Sequence, residues 1–86
     1  MNTRQYYYLI TVADSSNLSQ AASALGLTPS ALSKFLTSLE SLMGGTLFIR
    51  TPALSLTPLG QKALAAARNI LDEQNRMLLT IRSLTG

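Results

Sequence analysis

LSQAASALGLTPSALSKFLT, residues 18–37, decides the fold. Asn17 and Gln20 stand at capping-box spacing around its first residues, Ala21, Ala22 and Leu25 supply a short apolar face, and Gly26 suits the left-handed position at which helices end. Thr28 and Pro29 follow as a cap and first-turn pair, because proline has no amide hydrogen to leave unbonded at the first helical position. The stretch therefore predicts two helices joined by a tight turn, and two such helices must cross steeply without collision. Small residues belong at that crossing. Ala22, Gly26 four residues on, Leu32 six after that and Phe35 three further give the order small residue, glycine, apolar, apolar, which is the packing pattern of a helix-turn-helix.

Downstream, the second of these helices runs over about residues 29–43. Leu32, Phe35, Leu36, Leu39, Leu42 and Met43 recur at three- and four-residue steps, while Ser30, Ser33, Lys34, Thr37 and Ser41 fall largely elsewhere on the wheel. One face is core and the other is available. After Gly44 and Gly45, Leu47–Arg50 and Leu54–Thr57 are short strand candidates separated by a turn with Pro52, able to pair as a small hairpin, or wing. Upstream, Asn2–Ala13 opens with Asn2 and Gln5 at capping-box spacing and sets Tyr6, Leu9, Ile10 and Ala13 on one side of a first helix.

From Pro58 the composition is helical to the end, for roughly 40 Å at the rise of an α-helix. Ala63, Ile70, Met77 and Leu84 recur every seven residues, Leu64, Leu71 and Leu78 do so beside them, and Ala67 and Ile81 join the same stripe. Such a helix is longer than a small domain can cover, so its stripe calls for a second copy. The expected fold is mainly α: a winged helix-turn-helix of three helices and a short two-stranded wing over residues 1–57, and a long dimerisation helix over 58–86 belonging to the same structural unit.

The 86 residues suffice for one compact domain, and 47% hydrophobic against 13% charged residues argues against disorder. With no cysteine and no histidine, the usual soft metal ligands, disulfides, thiol nucleophiles and imidazole bases are absent. Glu40, the lone acid in the middle of the chain, lacks a second carboxylate for general acid-base chemistry and reads as structural, paired with a nearby cation or amide. The chain is thus expected to be no enzyme and to need neither cofactor nor metal. Seven Lys or Arg against four Asp or Glu, a net charge of +3, permit a polyanionic partner without demanding one. There is no basic-then-apolar leader and no apolar run near the ~20 residues of a membrane span, so the expectation is a cytoplasmic protein without a membrane partner.

Thr28, Ser30, Ser33, Lys34 and Thr37 place short hydroxyls and one cation on the outer face of the third helix, toward its N-terminal half. Groups of this kind reach base edges or phosphates, and a helix N-terminus itself attracts phosphate. A solvated polar face would carry the same residues, but the turn geometry and the scarcity of acids from Ser15 to Leu39 favour double-stranded DNA. Arg50, on the wing strand, either meets a phosphate or projects into solvent, and phosphate is the favoured reading. Tyr6, Tyr7 and Tyr8 suggest a stacking platform, yet on a helix they point about 100° apart, so core packing of one or two is preferred.

These residues, over nearly the whole chain, resemble the N-terminal domain of LysR-type transcriptional regulators. The matching stretches are RQYYYLITVA, Leu18-Ser19-Gln20-Ala21-Ala22 with Leu25, Ser30-Ala31-Leu32-Ser33-Lys34, Leu39-Glu40, Gly44, Leu47-Phe48 with Arg50, and Leu56-Thr57 with Gly60. The resemblance implies a bacterial regulator whose third helix reads a major groove, whose wing touches the flanking minor groove, and whose long helix pairs antiparallel with that of a second subunit on a roughly palindromic operator. Carried over by position, Thr28, Pro29, Ser30, Ser33, Lys34 and Arg50 are the contacting set, with Asn17 and Gln20 near phosphate. Two departures stand out. Pro29 replaces a glutamine common in the family, which removes an amide that could read a base, and the wing, Pro52-Ala53-Leu54-Ser55, is poorer in arginine and glycine and about one residue shorter. Weaker minor-groove contact is expected, with more of the affinity resting on the third helix. The family also carries a domain that senses a small-molecule coinducer and helps decide between dimer and tetramer; the resemblance implies a truncated or short form that cannot bind the coinducer itself.

Two other functions compete with DNA recognition. A protein-interaction module would use the long helix as its docking face, and salt separates the two because DNA binding weakens steeply as salt rises. Membrane-surface binding by the same helix is weaker, since Asp72 and Glu73 stand among its few cations.

Overall fold

The computed structural model describes residues 2–85. Its elements are α1 (Thr3–Ala13), α2 (Leu18–Leu25), α3 (Pro29–Met43), β1 (Phe48–Ile49), β2 (Ser55–Leu56) and α4 (Pro58–Thr85), a mainly helical winged helix-turn-helix with a long last helix. The starts of the first three helices follow from their caps. Asn2 and Gln5 form a reciprocal capping box, Asn17 Oδ1 accepts from the Gln20 amide at 2.8 Å, and Thr28 Oγ1 accepts from the Ala31 amide at 3.1 Å with Pro29 in the first turn. Gly26 ends α2 at φ 69°, a left-handed conformation that a β-carbon would strain.

α1, α2 and α3 enclose a core of Leu9, Val12, Ala21, Ala22, Leu32, Leu36 and Leu39, joined by Leu47 and Phe48 from the first wing strand and by Ala67 from α4. Ala21 and Ala22 are the small residues that let α2 cross its neighbours closely. Tyr8 and Phe35 close one edge, ring edge against face with centroids 5.1 Å apart, and Tyr6 packs, partly buried, against the same core, whereas Tyr7 is 61% exposed. Leu42, placed in the core stripe by its spacing, is instead 68% exposed. It lies at the margin of the apolar stripe and near the end of α3.

The wing is shorter than its sequence suggests. Only Phe48–Ile49 and Ser55–Leu56 pair, antiparallel, with Phe48 opposite Leu56 and Ile49 opposite Ser55. Thr57 then fixes the entry to α4: its hydroxyl donates to the Thr46 carbonyl at 2.6 Å, its Oγ1 accepts from the Gly60 amide at 3.0 Å, and its amide donates to the Leu47 carbonyl at 3.0 Å. Gly60 is buried so tightly against that segment that an added β-carbon would run into the Leu47 carbonyl oxygen.

α4 divides into two halves. Its inner half packs on α1, fastened by the Arg68–Asp14 ion pair at 2.9 Å and by the Thr3 hydroxyl donating to Gln74 Oε1 at 3.1 Å. Every residue from Asn75 to Thr85 is exposed. Ala67, expected to meet a second copy, is 1% exposed in the chain's own core, and Ala63 packs partly against that core. The seven-residue repeat does not distinguish the two faces because α1 covers the stripe over the inner half.

Candidate nucleic-acid interface

α3 packs Leu32, Leu36 and Leu39 inward, which turns Thr28, Pro29, Ser30, Lys34 and Thr37 outward, all of them exposed. The Thr28 oxygen is engaged in the cap, leaving its hydroxyl proton to donate. Asn17 and Gln20, at the start of α2, are also exposed, and each uses its side-chain oxygen internally: Asn17 Oδ1 toward the Gln20 amide at 2.8 Å, Gln20 Oε1 toward the Ser16 amide at 2.6 Å. Their NH2 groups remain as donors. The start of α2 and the exposed side of α3 therefore both carry hydrogen-bond donors. Lys34 is the one cation of α2 and α3, and Glu40 is their one acid.

Arg50 does not project freely into solvent. Its Nη1 donates to Ser33 Oγ at 2.9 Å and its Nη2 lies 3.2 Å from Glu40 Oε1, with side chains 30% and 16% exposed for Arg50 and Glu40. Glu40 Oε2 accepts from the amides of Leu47 at 2.7 Å and Phe48 at 3.3 Å. The expected cation or amide partner of Glu40 is thus both at once. Ser33 is half-buried beneath this guanidinium rather than standing alone on the helix. Two of the residues singled out by type, Ser33 and Arg50, are brought into one hydrogen-bonded unit, and Glu40 joins them as its anchor.

The apolar residues of α4 form a second candidate surface. Ile70, Met77, Leu78, Ile81 and Leu84 are exposed, Leu64 and Leu71 half-buried. On the inner half, Tyr6, Met43, Leu59, Ala66 and Ile70 line a shallow groove of about 440 Å³ between α1, the end of α3 and α4. Among the described residues, no helix is long and apolar enough to cross a membrane.

Comparison with known proteins places this geometry. Residues 3–61 match the model of the bacterial regulatory helix-turn-helix proteins of the lysR family. The HTH-type transcriptional regulator EstR of Acinetobacter baylyi is 39% identical over 79 residues, which is 90% of this chain and 26% of EstR. The small neutral protease regulatory protein of Streptomyces coelicolor is 34% identical over 84 residues, 96% of this chain and 26% of that protein. The chain thus spans about a quarter of the length of these relatives. Among solved structures, the CbnR DNA-binding domain in complex with DNA superposes with a TM-score of 0.88 at 30% identity, covering 100% of both chains. Full-length CbnR with its target DNA gives 0.84 at 31% identity, over 96% of this chain and 29% of that one. On these matches and on the fold they share, the chain belongs to the LysR family of bacterial regulatory helix-turn-helix proteins and is a DNA-binding domain rather than an enzyme.

Proposed function

We propose that the chain recognises a specific duplex sequence as a homodimer, with α3 in the major groove and the wing against the adjacent minor groove. The observation that carries this is the outer face of α3: Thr28, Ser30, Lys34 and Thr37 are exposed together, and the one carboxylate of that helix, Glu40, is occupied by Arg50 and two amides. Phosphate oxygens and major-groove acceptors are the complement of such a donor row. Thr28, Asn17 and Gln20 position the domain on phosphates near helix starts, where backbone amides also favour an anion. Ser30, Ser33, Lys34 and Thr37 face the bases, and Pro29 contributes shape rather than a hydrogen bond. The complex of the CbnR DNA-binding domain with DNA, a domain of the same fold, supports DNA as the partner.

The second copy joins through α4. The outer half offers Met77, Leu78, Ile81 and Leu84 with nothing of its own chain to cover them, and an antiparallel partner brings that end toward the groove lined by Leu59, Ala66 and Ile70. Leu64 and Leu71 sit between the two contacts, and residues 58–86 stay part of one unit with the winged domain. Two-fold symmetry of the protein then calls for a palindromic operator, read in the cytoplasm where the bacterial chromosome lies.

Selection of bound duplexes from a random pool, followed by sequencing and fluorescence-anisotropy titration, tests the proposal. An enriched palindrome bound with salt-sensitive affinity is the expected result. No enrichment at low or at physiological salt would reduce the chain to a dimerising scaffold.

A further inference from the structure

The two oxygens of Glu40 are divided between two tasks. Oε2 holds the amides of Leu47 and Phe48 at the entry to β1, and Oε1 holds Arg50, which in turn donates to Ser33 Oγ. A neutral amide oxygen could hold the same backbone N–H groups, so the first task does not call for a charge. The second does. Arg50 is the one cation of the wing, and a guanidinium on a short two-stranded hairpin would otherwise be drawn to any phosphate within reach. A negative charge beside a phosphate-facing surface lowers the affinity for every duplex equally, whatever its sequence.

We infer that Glu40 is a positioning residue for DNA selectivity: it fixes the Arg50 guanidinium, through it fixes Ser33, and offsets the indiscriminate attraction of Arg50 for phosphate. The inference rests on the DNA-binding proposal above. A guanidinium has five N–H donors in a planar fork. Ser33 and Glu40 each take one hydrogen bond from it, and the remaining donors stay at a fixed place between α3 and the wing. Ser33 has one lone pair engaged by Arg50, so its hydroxyl proton is the group best placed to act on DNA. It favours acceptors such as guanine N7 and O6, adenine N7, thymine O4 or a phosphate oxygen.

Two variants separate charge from position. Glu40→Gln keeps an oxygen for the Leu47 and Phe48 amides but removes the charge and turns an amide donor toward Arg50. Arg50→Lys keeps the cation but replaces the fork with a single ammonium that does not span both partners. Both are titrated, beside the unsubstituted chain, on the selected duplex and on an unrelated duplex of equal length over a series of salt concentrations, with thermal melting by circular dichroism as a check on folding. Glu40→Gln is expected to bind the unrelated duplex about tenfold more tightly, with a slope of log affinity against log salt steeper by about 0.9 per subunit. Its preference for the selected duplex falls by about tenfold, the lower range expected for one well-formed base contact. Arg50→Lys loses a similar preference with an unchanged slope.

A folded Glu40→Gln protein with the original slope and preference overturns the inference while leaving DNA recognition intact. Should that variant fail to fold, Arg50→Lys decides: an unchanged preference overturns the inference, and a lost preference at constant slope supports it. If the unsubstituted chain binds neither duplex, the DNA-binding proposal falls and this inference falls with it.

Discussion

The outer face of α3 and the outer end of α4 are both left uncovered by the chain, and they differ in every other respect. The α3 face carries hydroxyls and Lys34 on a helix whose start is capped and whose inner side is locked into the core. The α4 end carries Met77, Leu78, Ile81 and Leu84 on a helix that has left the domain behind. The first offers hydrogen-bond donors to a charged partner and the second offers apolar area to another apolar surface. A rigid polar face and a projecting apolar rod call for two different ligands, and the proposed function assigns duplex DNA to the first and a second copy to the second.

The largest expected effect comes from charging the rod. Met77→Lys together with Leu84→Lys should convert the dimer to a monomer by sedimentation at micromolar concentration and lower operator affinity by about a hundredfold or more, because two half-site contacts then no longer act together. The thermal transition of the domain at high protein concentration should retain its cooperativity, as neither side chain touches the core. A dimer that survives both charges would move the pairing surface to the inner groove.

Salt sharpens the comparison next. Lys34 is the one cation of α2, α3 and the wing that no carboxylate offsets, so a dimer presents two and the slope of log affinity against log salt should be about −2, or roughly a tenfold weakening between 50 and 200 mM. Dimer dissociation over the same range should hardly change, since apolar contact carries little salt dependence. A common salt response for the two would mean that they share one surface.

The smallest effect belongs to the cap. Thr28→Ala removes the hydroxyl that accepts from the Ala31 amide and should cost about 1 kcal/mol of stability in chemical denaturation, together with a modest loss of DNA affinity. Thr28→Ser should restore both, because the hydroxyl returns. Stability restored without affinity would assign the threonine methyl, rather than the cap, to the DNA contact.

Most of the fold was legible because its signals are local. Asn2, Asn17 and Thr28 announce helix starts through bonds to residues three positions on, and Gly26 announces an end through a backbone conformation of its own. Thr57-Pro58 repeats the Thr28-Pro29 pair and caps α4 in the same way, an equally local signal. What sequence reasoning missed depends on distance along the chain. The contact between Arg50 and Ser33 spans 17 residues, and no periodicity encodes which cation a lone glutamate will meet. Ala67 is buried in the chain's own core where the spacing points to a second copy, for a related reason: a heptad stripe records that a face is apolar, but not whether α1 or a second copy covers it. Leu42 shows the reverse case, an apolar residue at the right spacing that is left exposed.

Whether the exposed face of α3 reads the DNA is decided by the double variant Ser33→Ala, Lys34→Ala. Its binding is measured by fluorescence anisotropy on the selected palindrome and on an unrelated duplex, beside a melting curve that confirms the fold. An unchanged fold, a loss of preference for the palindrome of at least about tenfold, and a salt slope shallower by about 0.9 per subunit are expected. A variant that keeps the original affinity, preference and slope would remove α3 from recognition and contradict the account.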